Sequence, residues 1–225
     1  MSLTNFKPRR LDYIVKIVFA DEGQVLETKA MRRMLVGKTQ TVAIELFAVS
    51  AAYIVLFTLT FSVIMPAQSV LFAFLPMNIS LLFLPHGVRI LAIYLYGWRA
   101  VLYLLPAHLA TWAYLYFYLG SEQSISSGGV SILASLMAML IVFQKVQGVT
   151  SVAKKDDWKR ILIAGAVASL LNGLGHATLY GDVSSLKVDW IIITLGFMIG
   201  DVSGLFFLMV VMIYVFRLID RKTAS

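Results

Sequence analysis

SVLFAFLPMNISLLFLPHGVRILAIYLY, residues 69–96, is the stretch whose reading decides the fold. It holds no acidic side chain and a single cation, Arg89. A helix of ~28 residues would be about 42 Å long, whereas ~20 residues cross the ~30 Å hydrocarbon layer of a bilayer. The stretch is apolar enough for lipid and too long for one straight crossing. Proline removes a backbone donor and glycine loosens the helix, so Pro76 and Pro85-His86-Gly87 invite a break. Asn78 adds a polar group at the same depth. Freed backbone groups there are tolerated only where they are buried in protein or line a cavity. If the helix resumes at His86, then His86 and Arg89 share a face. The new N-terminus then aims N–H groups at an anion, as discontinuous transporter helices do. A second reading competes at each position. Arg89 also fits a cation that snorkels to the membrane surface, and His86 also fits a purely structural side chain.

Working outward, the same character continues. The chain of 225 residues is 60% hydrophobic and 14% charged, with mean hydropathy +0.84. Soluble domains are about 45–50% apolar, so lipid must serve as solvent for this one. Five further apolar spans are read around the first: about Thr41–Ile64, ending before Pro66, then Arg99–Leu119, Val130–Gln144, Ile161–Tyr180 and Trp190–Phe216. The Val130–Gln144 span is short unless it borrows Ser127–Gly129. The expected fold is an all-α, six-span transmembrane bundle over 41–218. Residues 1–40 form a basic amphipathic arm and 219–225 a short tail. Leu11, Ile14, Val15 and Val18 follow helical spacing, with a weaker pattern at Val25, Met31, Met34 and Leu35. The arm reads as one or two surface helices, seated either on lipid headgroups or on a partner chain.

Charge tests the span count independently. Eight Lys/Arg lie in the first 40 residues and five in 145–160, namely Lys145, Lys154, Lys155, Lys159 and Arg160. The 65–69 and 120–129 connections have no cation, 181–189 has Lys187 beside Asp182 and Asp189, and the tail has Arg217, Arg221 and Lys222. Six spans with both termini in the cytoplasm satisfy the positive-inside rule at every loop, and five or seven do not. Trp98, Trp158 and Trp190 fall at span ends, where indoles favour the interface. The expected location is a bacterial cytoplasmic (inner) membrane. The net charge of +7 is that of a membrane face meeting anionic lipid, not of a nucleic-acid binder. No cysteine is present, so disulfides and thiolate metal sites are excluded. Asp12 and Lys16 break the first apolar run, so it does not read as a signal peptide, and no output domain is expected at either end.

Polar residues inside the spans are the functional candidates, because they are costly in lipid. Gly165, Ser169, Asn172, Gly173 and His176 form one small, polar stripe on the fifth span. Gly165 and Ser169 suit close packing, whereas Asn172 and His176 suit either helix-to-helix hydrogen bonds or a pocket wall. Gly196, Gly200 and Gly204 form a small-residue ridge on the sixth span, expected to be a close helix contact, with Asp201 beside it. Arg89 is the natural charge partner of Asp201, followed by His86 or His176. The pair serves either ligand, proton or ion handling or structure alone. Isolated His108 reads as a satisfied interior histidine. No P-loop and no HExxH are present. Gly200-Asp201-Val202-Ser203-Gly204 lacks the surroundings of a membrane serine protease, and the histidines lack the spacing of a haem pair. No catalysis, cofactor or metal is therefore expected.

Phe83-Leu84-Pro85-His86-Gly87, Leu91-Ala92 and Tyr96-Gly97-Trp98-Arg99-Ala100, together with Gly200-Asp201-Val202-Ser203-Gly204, resemble the motifs of MASE1-type integral membrane sensory domains. Pro85, Gly87, Arg99, Asp201 and Gly204 are the matching positions. The resemblance covers about a tenth of the chain by residue. It implies a ligand-sensing fold, although such domains usually precede a cytoplasmic output domain and often have more spans. The expected function is a non-enzymatic sensor or ligand-binding module acting through a partner protein, with Arg89, His86, Asp201, Asn172 and His176 at the ligand. The alternatives are the substrate-capturing subunit of an energy-coupling importer, docking through Ala48 and Ala52, or an assembly subunit of a larger membrane complex.

Overall fold

The computed structural model describes residues 24–72, 80–120, 125–146, 157–180 and 190–223. Helix α1, Gln24–Leu59, passes through a π-helical turn, Thr60–Ile64, into α2, Met65–Leu71. Then follow α3 (Leu84–Tyr96), α4 (Arg99–Leu119), α5 (Ser126–Phe143), α6 (Asp157–Tyr180) and α7 (Trp190–Thr223). The described residues contain no strand. Met1–Glu45 and Leu46–Ser225 are two compact units. In the first, the described part is the opening of α1. The site lies wholly in the second.

Among the described residues, five helices are long and apolar enough to cross a membrane: Thr39–Leu71, Arg99–Tyr118, Ser126–Phe143, Asp157–Thr178 and Thr194–Val215. This is the architecture of a multi-pass membrane protein. It departs from the sequence reading in three places. Among its described residues, the stretch 69–96 is not one continuous helix, since Ser80–Phe83 are non-helical. Its described part opens with the last residues of α2, which ends at Leu71, and closes with α3, 13 residues and about 20 Å long, preceded by the non-helical Ser80–Phe83. The helix resumes at Leu84 with Pro85 in its first turn, where a missing N–H costs nothing. Pro76 and Asn78 lie outside the described residues. Second, Pro66 does not end the first span. The π-helical turn ahead of it bonds the Met65 N–H to the Thr60 carbonyl, five residues back, and a widened turn relieves the clash a proline ring otherwise makes. Third, the weaker amphipathic stretch from Val25 to Leu35 is continuous with α1 rather than a separate helix; the stretch from Leu11 to Val18 lies outside the described residues. Helix α5 begins at Ser126 and so includes the 127–129 residues its length required.

Contacts fix the depth at which α3 starts. A Cβ added to Gly200 would collide with the Ser80 carbonyl, and one on Gly204 with the Phe83 carbonyl and the Leu84 nitrogen. One on Gly87 would stand 3.1 Å from the Leu205 Cα and 3.0 Å from a Leu208 methyl. Segment 80–96 therefore runs alongside α7 in the same direction. Gly204 lies at the centre of the apolar stretch Thr194–Val215, so α3 begins halfway along that span. The ridge of Gly200 and Gly204 thus seats an unwound backbone, not a neighbouring helix. Close helix contact falls to Gly173, where an added Cβ would be 3.0 Å from the Thr194 Cα.

Unwound backbone at that depth needs partners, and it has them. Leu81 N–H donates to Gln68 Oε1 at 2.7 Å. The Leu81 carbonyl accepts from the Ser203 hydroxyl. Leu82 N–H donates to Ser80 Oγ at 3.3 Å. Phe83 N–H donates to the Gly200 carbonyl at 2.9 Å. At the far end of α3, Gly97 turns the chain into α4 at φ +61° and ψ −134°, a conformation open to glycine. Helix α1 presents Val49, Tyr53 and Phe57 inward and is tied to α4 by Ser50 Oγ–H donating to the Tyr103 carbonyl at 2.6 Å. Trp98 and Trp158, at the α5–α6 end of the bundle, are exposed.

Candidate ligand cavity and buried charge cluster

The first turns of α3 carry His86 and Arg89 into the protein. Arg89 is 2% exposed, and His86 and Asp201 are 0% exposed, so Arg89 does not snorkel. Arg89 Nη2 lies 3.2 Å from His86 Nδ1, and its Cζ stands 5.8 Å from the centre of the Phe83 ring. The same His86 Nδ1 lies 3.2 Å from Asp201 Oδ2. No Arg89–Asp201 ion pair within 4.0 Å forms among the described residues. The direct pair expected from charge is replaced by a triad with His86 in the middle.

Hydrogen-bond chemistry restricts the triad. His86 Nε2 lies 3.2 Å from the Gly165 carbonyl. A carbonyl only accepts, so Nε2 carries a proton. Nδ1 then faces two incompatible neighbours. Bare, it accepts from Arg89. Protonated, it donates to Asp201. It cannot do both at once.

Helices α5 and α6 complete the cluster. Asn172 Nδ2 donates to Asp201 Oδ2 at 3.2 Å, and Asn172 Oδ1 accepts from Ser131 Oγ at 2.8 Å. Ser169 Oγ–H donates to the Gly165 carbonyl at 2.9 Å, one helical turn back. His176 lies one turn beyond Asn172. Its Nδ1–H donates to the Asn172 carbonyl at 2.9 Å, and its ring lies 5.0 Å from that of Phe197. Four of the five sequence candidates, Arg89, His86, Asp201 and Asn172, therefore meet, and His176 stands above them.

A cavity of about 300 Å³ lies over the cluster. Arg89, Asp201 and Asn172 line it at one end, and it extends past Phe57, Phe61 and Trp112 toward Ile125, where α5 begins. His176 lines its wall, and His86 stands behind Arg89 and Asp201, outside the lining. Three lining groups have a buried polar atom without a hydrogen-bond partner: Arg89 Nε, Asp201 Oδ1 and His108 Nε2. Such atoms are uncommon in a folded interior and cost about 1–3 kcal/mol each. A cavity of this size, mostly apolar with a few convergent polar groups, has the make-up of a small-molecule site. Comparison with family models, curated proteins and solved structures finds no match. The assignment of the site rests on its geometry.

The sequence reading missed two members of the site. His108 is not satisfied at Nε2, and its ring packs against Tyr53 at 4.6 Å. Tyr53 itself was legible: Val49, Tyr53, Phe57 and Phe61 recur every four residues and so form an aromatic stripe on one face of α1. His108 gave no such signal, because its orphaned nitrogen depends on how α1 and α4 meet.

Proposed function

We propose that the protein is a non-enzymatic small-ligand-binding module of a bacterial inner membrane, both termini in the cytoplasm, that reports the occupancy of its cavity to a partner protein. The observation that carries this reading is the pair of unpartnered buried atoms, Arg89 Nε and Asp201 Oδ1, facing one cavity at the middle of the bundle. A structural ion pair would be closed upon itself. A route out of the site supports a sensory role. Five residues beyond Arg89, about 7 Å along the rigid helix, Tyr94 donates its hydroxyl to Asp157 Oδ2 at 2.7 Å. Asp157 opens α6 beside Arg160, whose Nη2 donates to the Val142 carbonyl at 2.9 Å and whose guanidinium lies 4.3 Å from the Phe143 ring centre. A ligand that draws on Arg89 thus pulls on the helix that holds the basic 145–160 connection. Of the five positions that match MASE1-type domains, Pro85, Gly87, Gly204 and Asp201 lie where α3 meets α7, whereas Arg99 opens α4.

A transport subunit is the second reading. It is favoured by the half-helix starting at mid-span, a feature of substrate sites in transporters, and by Ala48 and Ala52, which are exposed on α1. Affinity purification in mild detergent, with mass spectrometry of what co-purifies, separates the two. The sensor reading expects a signalling enzyme. An ATPase module would replace it with the transport reading. A large stoichiometric complex with no retained small molecule would overturn both in favour of an assembly subunit.

A further inference from the structure

The proton demanded by the triad and the unpaired groups of the cavity constrain one another, and together they specify a ligand. Consider the cluster with no proton between His86 Nδ1 and Asp201 Oδ2. The charges of Arg89 and Asp201 then balance, and Nδ1 accepts from Arg89 Nη2 at 3.2 Å. Asp201 Oδ2, however, faces the lone pair of Nδ1 at 3.2 Å. With a proton added between them, that contact becomes a hydrogen bond. The imidazole–carboxyl pair is then neutral overall wherever the proton sits. Arg89 loses both its acceptor at Nδ1 and its counter-charge. An unpaired cation buried to 2% exposure is strongly disfavoured. A ligand carboxylate resting on Arg89 removes that penalty. It supplies the missing charge, and it gives the unpartnered Nε–H an acceptor.

We propose that the cavity takes a small organic carboxylate with an aromatic or branched apolar body, and that each anion enters with one proton, which lodges between His86 and Asp201. The inference rests on the ligand-binding reading and adds the ligand's class and its coupling. The body of the ligand is set by the walls: Phe57, Phe61, Trp112 and Phe197 surround the space beyond Arg89. His108, with Nε2 unpartnered on the same cavity, offers a second donor to the carboxylate in its Nε2–H tautomer. The balance is simple. One anion and one proton come in, no covalent bond changes, and the net charge of the site is the same before and after. The other groups facing the triad are Tyr53 from α1, His108 from α4 and His176 from α6; α5 contributes the uncharged Ser131, and Asp201 is the only titratable group on α7 that lines the cavity.

Calorimetric titration of the intact protein in nanodiscs, with empty nanodiscs subtracted, tests this. The probes are phenylacetate, its neutral analogue phenylacetamide and its cationic analogue phenethylamine, each in buffers of different ionisation enthalpy. The expected result is saturable one-site binding of phenylacetate alone, with about one proton taken up per anion and affinity rising about tenfold per unit fall in pH. Arg89→Gln is expected to weaken binding about a hundredfold. Should that variant fail to fold, the three-probe comparison and the proton count on the unaltered protein decide by themselves. Binding of the amide or the amine instead of the carboxylate would overturn the anion assignment and leave the ligand-binding reading standing. Phenylacetate binding without proton uptake would overturn the coupling. Silence from all three probes would overturn the carboxylate assignment, and a small molecule still co-purifying would show that the ligand-binding reading had survived it.

Discussion

His86 is the residue on which the cluster turns, because its two nitrogens contact α3, α6 and α7 at once. Its removal leaves Arg89 and Asp201 buried with fewer partners. His86→Ala is therefore expected to cost about 2–3 kcal/mol, seen as an earlier unfolding midpoint in detergent. An unchanged midpoint would show that Arg89 and Asp201 find each other unaided. Most of this was legible from types alone. A carboxylate, a cation and two histidines inside apolar spans are costly enough to demand one another, so Asp201, Arg89 and His86 stood out as letters. Their pairing was not legible. Charge favours Arg89 with Asp201, whereas the register of α3 on α7 interposes His86, and that register follows from the glycines of α7 rather than from the charges.

At the scale of elements, the central feature is the unwound Ser80–Phe83 against Gly200 and Gly204. Side chains at these glycines would meet backbone, which cannot swing away. Gly200→Ala is expected to destabilise the protein by at least about 2 kcal/mol and to cost ligand binding as well, since the shift is passed to Leu84 and so to Arg89. Gly129→Ala makes the matched control for stability, because nothing lies within 4 Å of a Cβ there. Equal melting of the two variants would contradict the seating of segment 80–83 on α7. The excess length of 69–96 and its Pro85-His86-Gly87 announced a break. They did not say that the partner of the small-residue ridge was the unwound segment itself, since a small-xxx-small pattern reports close approach and not what approaches. The passage of the first span through Pro66 was likewise hidden, because a π-helical turn leaves no mark in composition.

On the scale of the whole molecule, apolar length and charge segregation made the helix bundle plain, whereas the cavity is a property of how α1, α4, α5, α6 and α7 stand apart, which no single helix encodes. The alternation of basic and non-basic connections remains a forecast about sidedness. The chain has no cysteine, so single introduced cysteines report without background. Ser151→Cys is expected to react with an impermeant maleimide only from the cytoplasmic side, and Ser121→Cys and Ser184→Cys only from the opposite side. The reverse pattern, with Ser151→Cys labelled from outside and Ser121→Cys and Ser184→Cys from the cytoplasm, would dismiss the six-crossing path through the half-helix α3. The claim beneath every other is that a small molecule occupies the space above Arg89 and Asp201. Native mass spectrometry of protein released gently from membranes addresses it directly, comparing the unaltered chain with Arg89→Gln. The expected result is a discrete small-molecule adduct on the unaltered protein that Arg89→Gln lacks while remaining folded. An adduct of equal mass and occupancy on both, or none on either, would contradict a ligand site built on Arg89.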